Sequence, residues 1–291
     1  MDKNPGIRPI GVGEVLRRIV GKIISWTIND EIKEAAGPLQ TCAGFGAGAE
    51  AAIHAMKKIF DNEKTDAVLL IDATNAFNCM NRRVALHNIR VTCPILSLYL
   101  INTYRNPSRL FISGGQEISS SEGTTQGDPL AMPWYSINTV TIIQNLRTMD
   151  PDVKQVWLAD DASAGGTIES LNKWYDHLVS EGKKHGYYVN GSKSWLIAKS
   201  LEISENAKLV LGDKVNITVE GKRHLGAVIG SKDYKDLYCN GKVSEWVKEL
   251  TSLSDIAKTQ PQAAFIAFNK GYKSILPTDN RRFRRLLGTS S

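Results

Sequence analysis

The stretch Val156-Trp157-Leu158-Ala159-Asp160-Asp161-Ala162-Ser163 reads as a strand running into a tight turn, two adjacent aspartates at the tip, and a short return strand. Neighbouring carboxylates repel, and an isolated Asp-Asp ordinarily serves a solvated turn or a helix cap. A divalent cation removes that repulsion. Hard cations such as Mg²⁺ prefer carboxylate oxygen and commonly sit on one or two carboxylates plus substrate phosphates. Whether the pair is a turn or a metal site depends on the partners that the rest of the chain supplies.

Upstream, Ala67-Val68-Leu69-Leu70-Ile71 is a continuous apolar run, the pattern of a central strand buried on both faces. It ends in Asp72, where an ionised carboxylate is costly without a partner. Ala73 to Asn78 turns away from the strand. A strand-end aspartate and a hairpin-tip pair can converge from neighbouring strands of one antiparallel sheet, although far apart in sequence.

The flanking segments are expected to pack around that sheet. Leu16, Ile19, Val20, Ile23, Ile24, Ile28 and Ile32 recur at helical spacing, and Gly37-Pro38 ends the run. Glu50 to Phe60, Asn81 to Ile89 and Cys93-Pro94 through Tyr104 read as further helices. Leu110-Phe111-Ile112 and Glu117-Ile118 flank a hairpin turn. Gly123-Thr124-Thr125-Gln126-Gly127-Asp128-Pro129-Leu130 precedes a helix to about Leu146. Asp128 suits its cap and Pro129 its first position. Gly127 lets the backbone approach something closely, and Pro133 implies a bend in the first turns. Past the aspartate hairpin, Gly165-Gly166 is expected to break the chain. Ile168 to Lys184 is an amphipathic helix, Asn190-Gly191 a turn, and Trp195 to Lys199 a strand preceded by Lys193. Residues 205–230 read as short strands ending in Arg223-His224-Leu225-Gly226. Val243 to Asn269 reads as helices interrupted at Pro261, and a disordered, basic tail is expected over residues 278–291.

Length, composition and charge narrow the classes. The 291 residues carry 36 basic and 30 acidic side chains, a formal +6, and residues 241–291 hold nine Lys/Arg against four Asp/Glu, a local +5. That balance suits a surface facing a polyanion, most often nucleic acid. Four scattered cysteines have neither metal-ligand spacing nor a disulfide framework. There is no secretory signal pattern and no apolar run of membrane-spanning length. An intracellular protein of cytoplasm or nucleus, without a membrane partner, is expected. Gly44-Phe45-Gly46-Ala47-Gly48 lacks the lysine of a phosphate loop and reads as a turn. His54 reads as a packed or surface histidine, and Arg82-Arg83 as a solvated helix face rather than a phosphate contact.

Taken in order, these features resemble the reverse transcriptase family, over roughly residues 6 to 270. Arg8-Pro9-Ile10 is similar to a fingers motif with its triphosphate-binding arginine. Asp72, with Phe77 five residues on, resembles the first metal motif. Thr125-Gln126-Gly127-Asp128-Pro129-Leu130 resembles the template and nucleotide-contact motif. Leu158-Ala159-Asp160-Asp161 resembles the aspartate-pair motif. Asn190 to Lys193 is similar to a palm motif with its lysine, and His224-Leu225-Gly226 to the primer-grip turn of eukaryotic, non-LTR-like retroelement enzymes. No single motif decides, but six in the family's order reinforce one another.

The resemblance implies an α+β polymerase palm, an antiparallel sheet backed by helices, with partial fingers over 1–60, palm over 61–239 and a helical thumb over 240–277. It implies an RNA-directed DNA polymerase using an RNA template, a DNA primer, dNTPs and two Mg²⁺ ions, with Mn²⁺ as a substitute. Two-metal nucleotidyl transfer holds such ions about 3.5–4 Å apart and clamps the attacking and leaving oxygens. Asp72, Asp160 and Asp161 would be the metal ligands, and Lys193 an acid for the departing pyrophosphate. Arg8 would pair with triphosphate oxygens. Gln126 and Gly127 would contact the substrate. Leu158, His224, Leu225 and Gly226 would lie along the primer. Phe77 would be a steric gate whose ring fills the space of a ribose 2′-hydroxyl. The sequence departs from the family at Leu158, where an aromatic is usual, and in opening at the arginine motif. The latter suggests an N-terminally truncated piece of a longer product. Two other readings compete. A catalytically silent nucleic-acid-binding remnant is one, and a nucleotide cyclase with a related palm, whose Gly-Gly-Asp-Glu signature is absent, is the other.

Overall fold

The computed structural model describes residues 11, 13–44, 46–112, 114–125 and 127–272. The helical pattern at the start becomes two helices, α1 (Val15–Thr27) and α2 (Asn29–Ala36), because Ile28 leaves helical geometry at φ −110°, ψ 31°. Gly21 is the buried residue of α1. It packs beside Pro129, while Leu16, Ile19, Val20 and Ile23 face outward. Next come α3 (Gly48–Asp61), β1 (Ala67–Ile71) and the one-turn helix α4 (Ala76–Cys79). Asn81 caps α5 (Arg82–Thr92) by accepting the Val84 N–H, and Pro94 opens α6 (Pro94–Tyr104). A hairpin, β2 (Ser108–Phe111) and β3 (Glu117–Ser120), leads to the central helix α7 (Ala131–Met149). Since α7 begins at Ala131, Pro133 falls in its first turn, where an amide hydrogen has no intrahelical partner anyway. No bend is required there.

The aspartate hairpin is β4 (Lys154–Leu158) and β5 (Asp161–Gly166). It is followed by α8 (Ile168–His185), β6 (Trp195–Ala198), α9 (Leu201–Leu211) and β7 (Asn216–Thr218). A second hairpin, β8 (Gly221–His224) and β9 (Ala227–Gly230), runs into α10 (Lys232–Thr259) and α11 (Pro261–Ala267). Ser231 caps α10 through the Tyr234 N–H. The helix starts well before Val243 and passes through residue 240 without interruption.

The main sheet has the order β4-β5-β1-β6-β7. β1 is central and buried along its length, as its unbroken apolar run requires. Its alternate residues serve two cores. Ala67, Leu69 and Ile71 join Trp157, Ala162, Leu196 and the inner faces of α7, α8 and α9. Val68 and Leu70 pack with Ala52, Met56 and Phe60 of α3 and with Ile229 of the second hairpin. A third cluster joins α2, α5, α6 and the first half of α7.

Two expectations are corrected. The sheet is mixed rather than antiparallel, because β6 and β7 pair in parallel. The cause is α9, a helix where short strands were expected: it carries the chain back before β7 begins, and a crossover of that kind produces a parallel pair. Gly165-Gly166 does not break the chain but completes β5. A Cβ on Gly165 would lie 2.3 Å from the Ile59 side chain, so glycine there lets α3 close on the sheet.

Candidate active site

β1 and β5 pair antiparallel with Ile71 opposite Ala162. One residue further, Asp72 and Asp161 leave the two strands at the same level of the sheet. The backbone of Asp72 is held by the segment after α8. Its carbonyl accepts the Asn190 N–H at 2.8 Å, and its N–H donates to the Ser194 hydroxyl at 3.1 Å, which itself donates to the Asn190 carbonyl. That segment continues into the 3₁₀ turn Gly191–Lys193. Gly191 has no substitute there: a Cβ would meet the Lys214 carbonyl oxygen at 2.3 Å. The asparagine–lysine stretch is thereby laid alongside the strand-end aspartate.

Leu158 pairs with Asp161, which leaves Ala159 and Asp160 as a two-residue turn. Ala159 adopts φ 55°, a left-handed value that costs a side-chain-bearing residue about 1–3 kcal/mol unless its surroundings hold it. Gln40, fully buried, supplies that hold. Its Oε1 accepts the Ala159 N–H at 2.9 Å, and its amide nitrogen donates to the Ala159 carbonyl at 3.1 Å and to Thr139 Oγ1 at 2.8 Å. On the other side the Tyr187 hydroxyl donates to the Asp160 carbonyl at 2.8 Å. Burial first, and then the negative charges of Asp160, Asp161 and Asp72, push the Tyr187 phenol well above its ordinary pKa. All three aspartates thus act on one buried ring. Sequence reasoning missed Gln40 and gave Tyr187 no role, since neither carries a motif.

Asp72, Asp161 and Lys193 line a cleft of about 180 Å³ together with Trp195, Lys222, Arg223, His224 and Leu225. The β8–β9 turn closes one side. His224 pairs with Ala227, and Leu225 and Gly226 between them both take positive φ, 51° and 86°, as a type I′ turn demands. Lys222 lies over the Trp195 ring, 3.4 Å from its centroid. The His224 side chain is buried, its Nε2 has no partner, and burial lowers its pKa from 6.5 to about 4, which leaves a neutral imidazole at neutral pH. The cleft therefore sets two carboxylates against three cationic side chains. That combination suits an anionic ligand together with a cation.

Phe77 lies on α4, partly buried, and its ring stacks on Tyr135 of α7. The loop before α7 is tied to the same place. Thr124 N–H donates to the Phe77 carbonyl at 2.7 Å, and Gly123 N–H to that of Met80 at 2.8 Å. Gly127 takes φ 110°, open to glycine alone in practice. Asp128 accepts the Leu130 N–H, an ion pair from Arg17 at 2.8 Å and the Tyr104 hydroxyl at 2.7 Å. Arg8 and Gln126 lie outside the described residues. Arg82 is neither a solvated residue nor a phosphate contact. It is buried and donates to the carbonyls of Ser120, Glu122 and Gly123.

Among the described residues, no group of three or more His, Cys, Asp or Glu side chains is gathered closely enough to hold a metal ion. The donors that do face the cleft, two carboxylates, fit a hard divalent cation whose remaining positions are filled by substrate phosphate and water. Among the described residues no helix is long and apolar enough to cross a membrane.

No protein-family model and no curated protein matches the chain. Solved structures do. Telomerase from Candida albicans, determined in complex with a TWJ fragment of telomeric RNA, aligns with a TM-score of 0.51 at 11% identity, over 76% of this chain and 39% of that one. Telomerase from Candida tropicalis, in complex with the same kind of RNA fragment, gives 0.50 at 12% identity, over 94% and 52%. This chain spans only about 39% and 52% of the length of these two structures. Its fold, a mixed five-stranded sheet with many helices, is similar to that of these two telomerase structures.

Proposed function

We propose that this chain is the polymerase core of an RNA-directed DNA polymerase of a retroelement, extending a DNA primer with dNTPs on an RNA template. One observation carries the reading: Asp72 and Asp161 leave neighbouring strands at one level of a telomerase-like sheet, in a cleft shared with Lys193. Asp72, Asp160 and Asp161 would hold Mg²⁺. When bound, it supplies charge neutralisation for the triphosphate and a lowered pKa for the primer hydroxyl.

The chain's own residues do the rest. Lys193 delivers a proton to the departing pyrophosphate. Lys222 and Arg223 draw phosphate oxygens to the rim, and the His224–Leu225 turn bears on the primer end. Phe77 would act as the steric gate that excludes a ribose 2′-hydroxyl. The basic C-terminal stretch follows the nucleic-acid backbone, so binding weakens steeply with salt.

Primer extension on RNA and DNA templates with Mg²⁺, comparing wild type with Asp160→Asn and Asp161→Asn, tests the reading. Extension by the wild type, lost in both variants, is expected. Leu158, where the family usually carries an aromatic, favours a second reading, a catalytically silent nucleic-acid-binding remnant. Duplex binding with no metal-dependent extension would select it.

A further inference from the structure

We infer that Gln40 and Tyr187 are positioning residues that fix the aspartate turn for metal binding, a role that rests on the polymerase reading above. The turn is short, and its first residue is in a left-handed conformation. Three of its backbone groups, the Ala159 N–H, the Ala159 carbonyl and the Asp160 carbonyl, are taken by two buried side chains from opposite directions. Gln40 comes from the segment beside β4, where Thr41 N–H donates to the Trp157 carbonyl and Trp157 N–H to the Leu39 carbonyl. Tyr187 comes from the segment after α8.

Glutamine is rarely fully buried. Here both ends of its amide are satisfied, and the main chain it serves is the turn beside Asp160. Tyr187 is likewise buried, and its hydroxyl reaches the Asp160 carbonyl at 2.8 Å. A cation drawn between those carboxylates pulls on the turn, and ligand precision depends on the groups behind it. The pair grips the backbone of the turn from two sides.

The test is a Mn²⁺ titration of the purified chain followed by electron paramagnetic resonance, with amide hydrogen exchange at Ala159 and primer-extension kinetics. The proteins are wild type, Asp161→Asn, Gln40→Met and Tyr187→Phe, each well below its unfolding temperature. Asp161→Asn should abolish tight Mn²⁺ binding, which upholds the reading. Gln40→Met and Tyr187→Phe should each weaken Mn²⁺ binding by about tenfold or more, and lower kcat while the KM for primer and dNTP stays. Gln40→Met should also speed exchange at Ala159. Where Gln40→Met does not fold, Tyr187→Phe decides. Lower melting temperatures with wild-type Mn²⁺ affinity and wild-type exchange at Ala159 would overturn the inference. Mn²⁺ binding that survives Asp161→Asn overturns the polymerase reading instead. The clamp then stands or falls on whether Gln40→Met speeds exchange at Ala159.

Discussion

The ring of Phe77 stacks on that of Tyr135, centroids 4.3 Å apart and planes inclined by 18°. Tyr135 is buried in the central helix, so the Phe77 ring has a fixed floor. Its backbone is fixed as well, through the Thr124 N–H on its carbonyl. An aromatic braced in this way cannot retreat from a larger sugar. That is the mechanical requirement for a gate, and an unbraced surface phenylalanine would not meet it.

Phe77→Val should therefore raise use of ribonucleotides relative to deoxynucleotides. A pocket discriminates a group the size of one methylene by about 10–200-fold, so the ratio of kcat/KM values should narrow by about tenfold. Tyr135→Leu should narrow it less, by removing the floor and leaving the ring. The two effects should not add, because both act through one contact. Steady-state incorporation of matched dNTP and NTP measures this, and an unchanged ratio in an active Phe77→Val enzyme would remove the gate.

Gly123 joins this region to the loop before α7. It takes φ 69°, and a Cβ there would lie 2.4 Å from the carbonyl oxygens of both Phe77 and Asn78. Backbone atoms cannot swing aside as a side-chain end can. Gly123→Ala should cost about 2 kcal/mol or more and disturb sugar selection along with stability. Urea denaturation gives the first effect and the incorporation ratio the second. A fully stable variant with unchanged selection would mean that the loop and the gate move independently.

Arg82 holds the start of the same loop, with its guanidinium on three backbone carbonyls and the Ser120 hydroxyl. Arg82→Ala strands those acceptors in a buried site and should cost roughly 3 kcal/mol. Lysine cannot reproduce the planar fork, so Arg82→Lys should recover less than half of the loss in chemical denaturation. Near-complete rescue by lysine would show that charge, rather than the fork, holds the loop.

Much of this was legible in the sequence where local pattern and structure agree. The apolar run of β1, the aspartate hairpin and the asparagine–lysine stretch each carry their own signal, and the sheet places Asp72, Asp161 and Lys193 in one cleft. The hairpin tip itself falls at Ala159-Asp160, one residue earlier than the Asp160-Asp161 tip the sequence suggests, because Leu158 pairs with Asp161. What the sequence hid has physical causes. The buried positions of α9 are Ser204, Ala207 and Leu211, two of them small, so no strong apolar stripe announces a helix. Gly165 looks like a chain breaker and is instead a space for Ile59. Gln40 meets Thr139 and Ala159 across 99 and 119 residues. No local pattern encodes such a contact, and a polar residue in a loop reads as solvated until the fold buries it.

His224 makes the protein acid-sensitive in a defined window. Its pKa is 6.5 when unfolded and about 4 when folded. Above pH 6.5 the imidazole is neutral in both states and adds no pH dependence. Between 6.5 and about 4 the unfolded chain takes up a proton that the folded one refuses, so stability falls as pH falls. By proton linkage the loss reaches roughly 3 kcal/mol at the acid end of that window. Replacing the ring by one that cannot ionise, in His224→Phe, should flatten this part of the stability profile while carboxylate titration at lower pH persists. Urea unfolding at half-unit steps from pH 7.5 to 4 measures the difference. The same slope in both proteins would mean that His224 is solvated in solution, and that the β8–β9 turn does not close over the cleft as the buried ring requires.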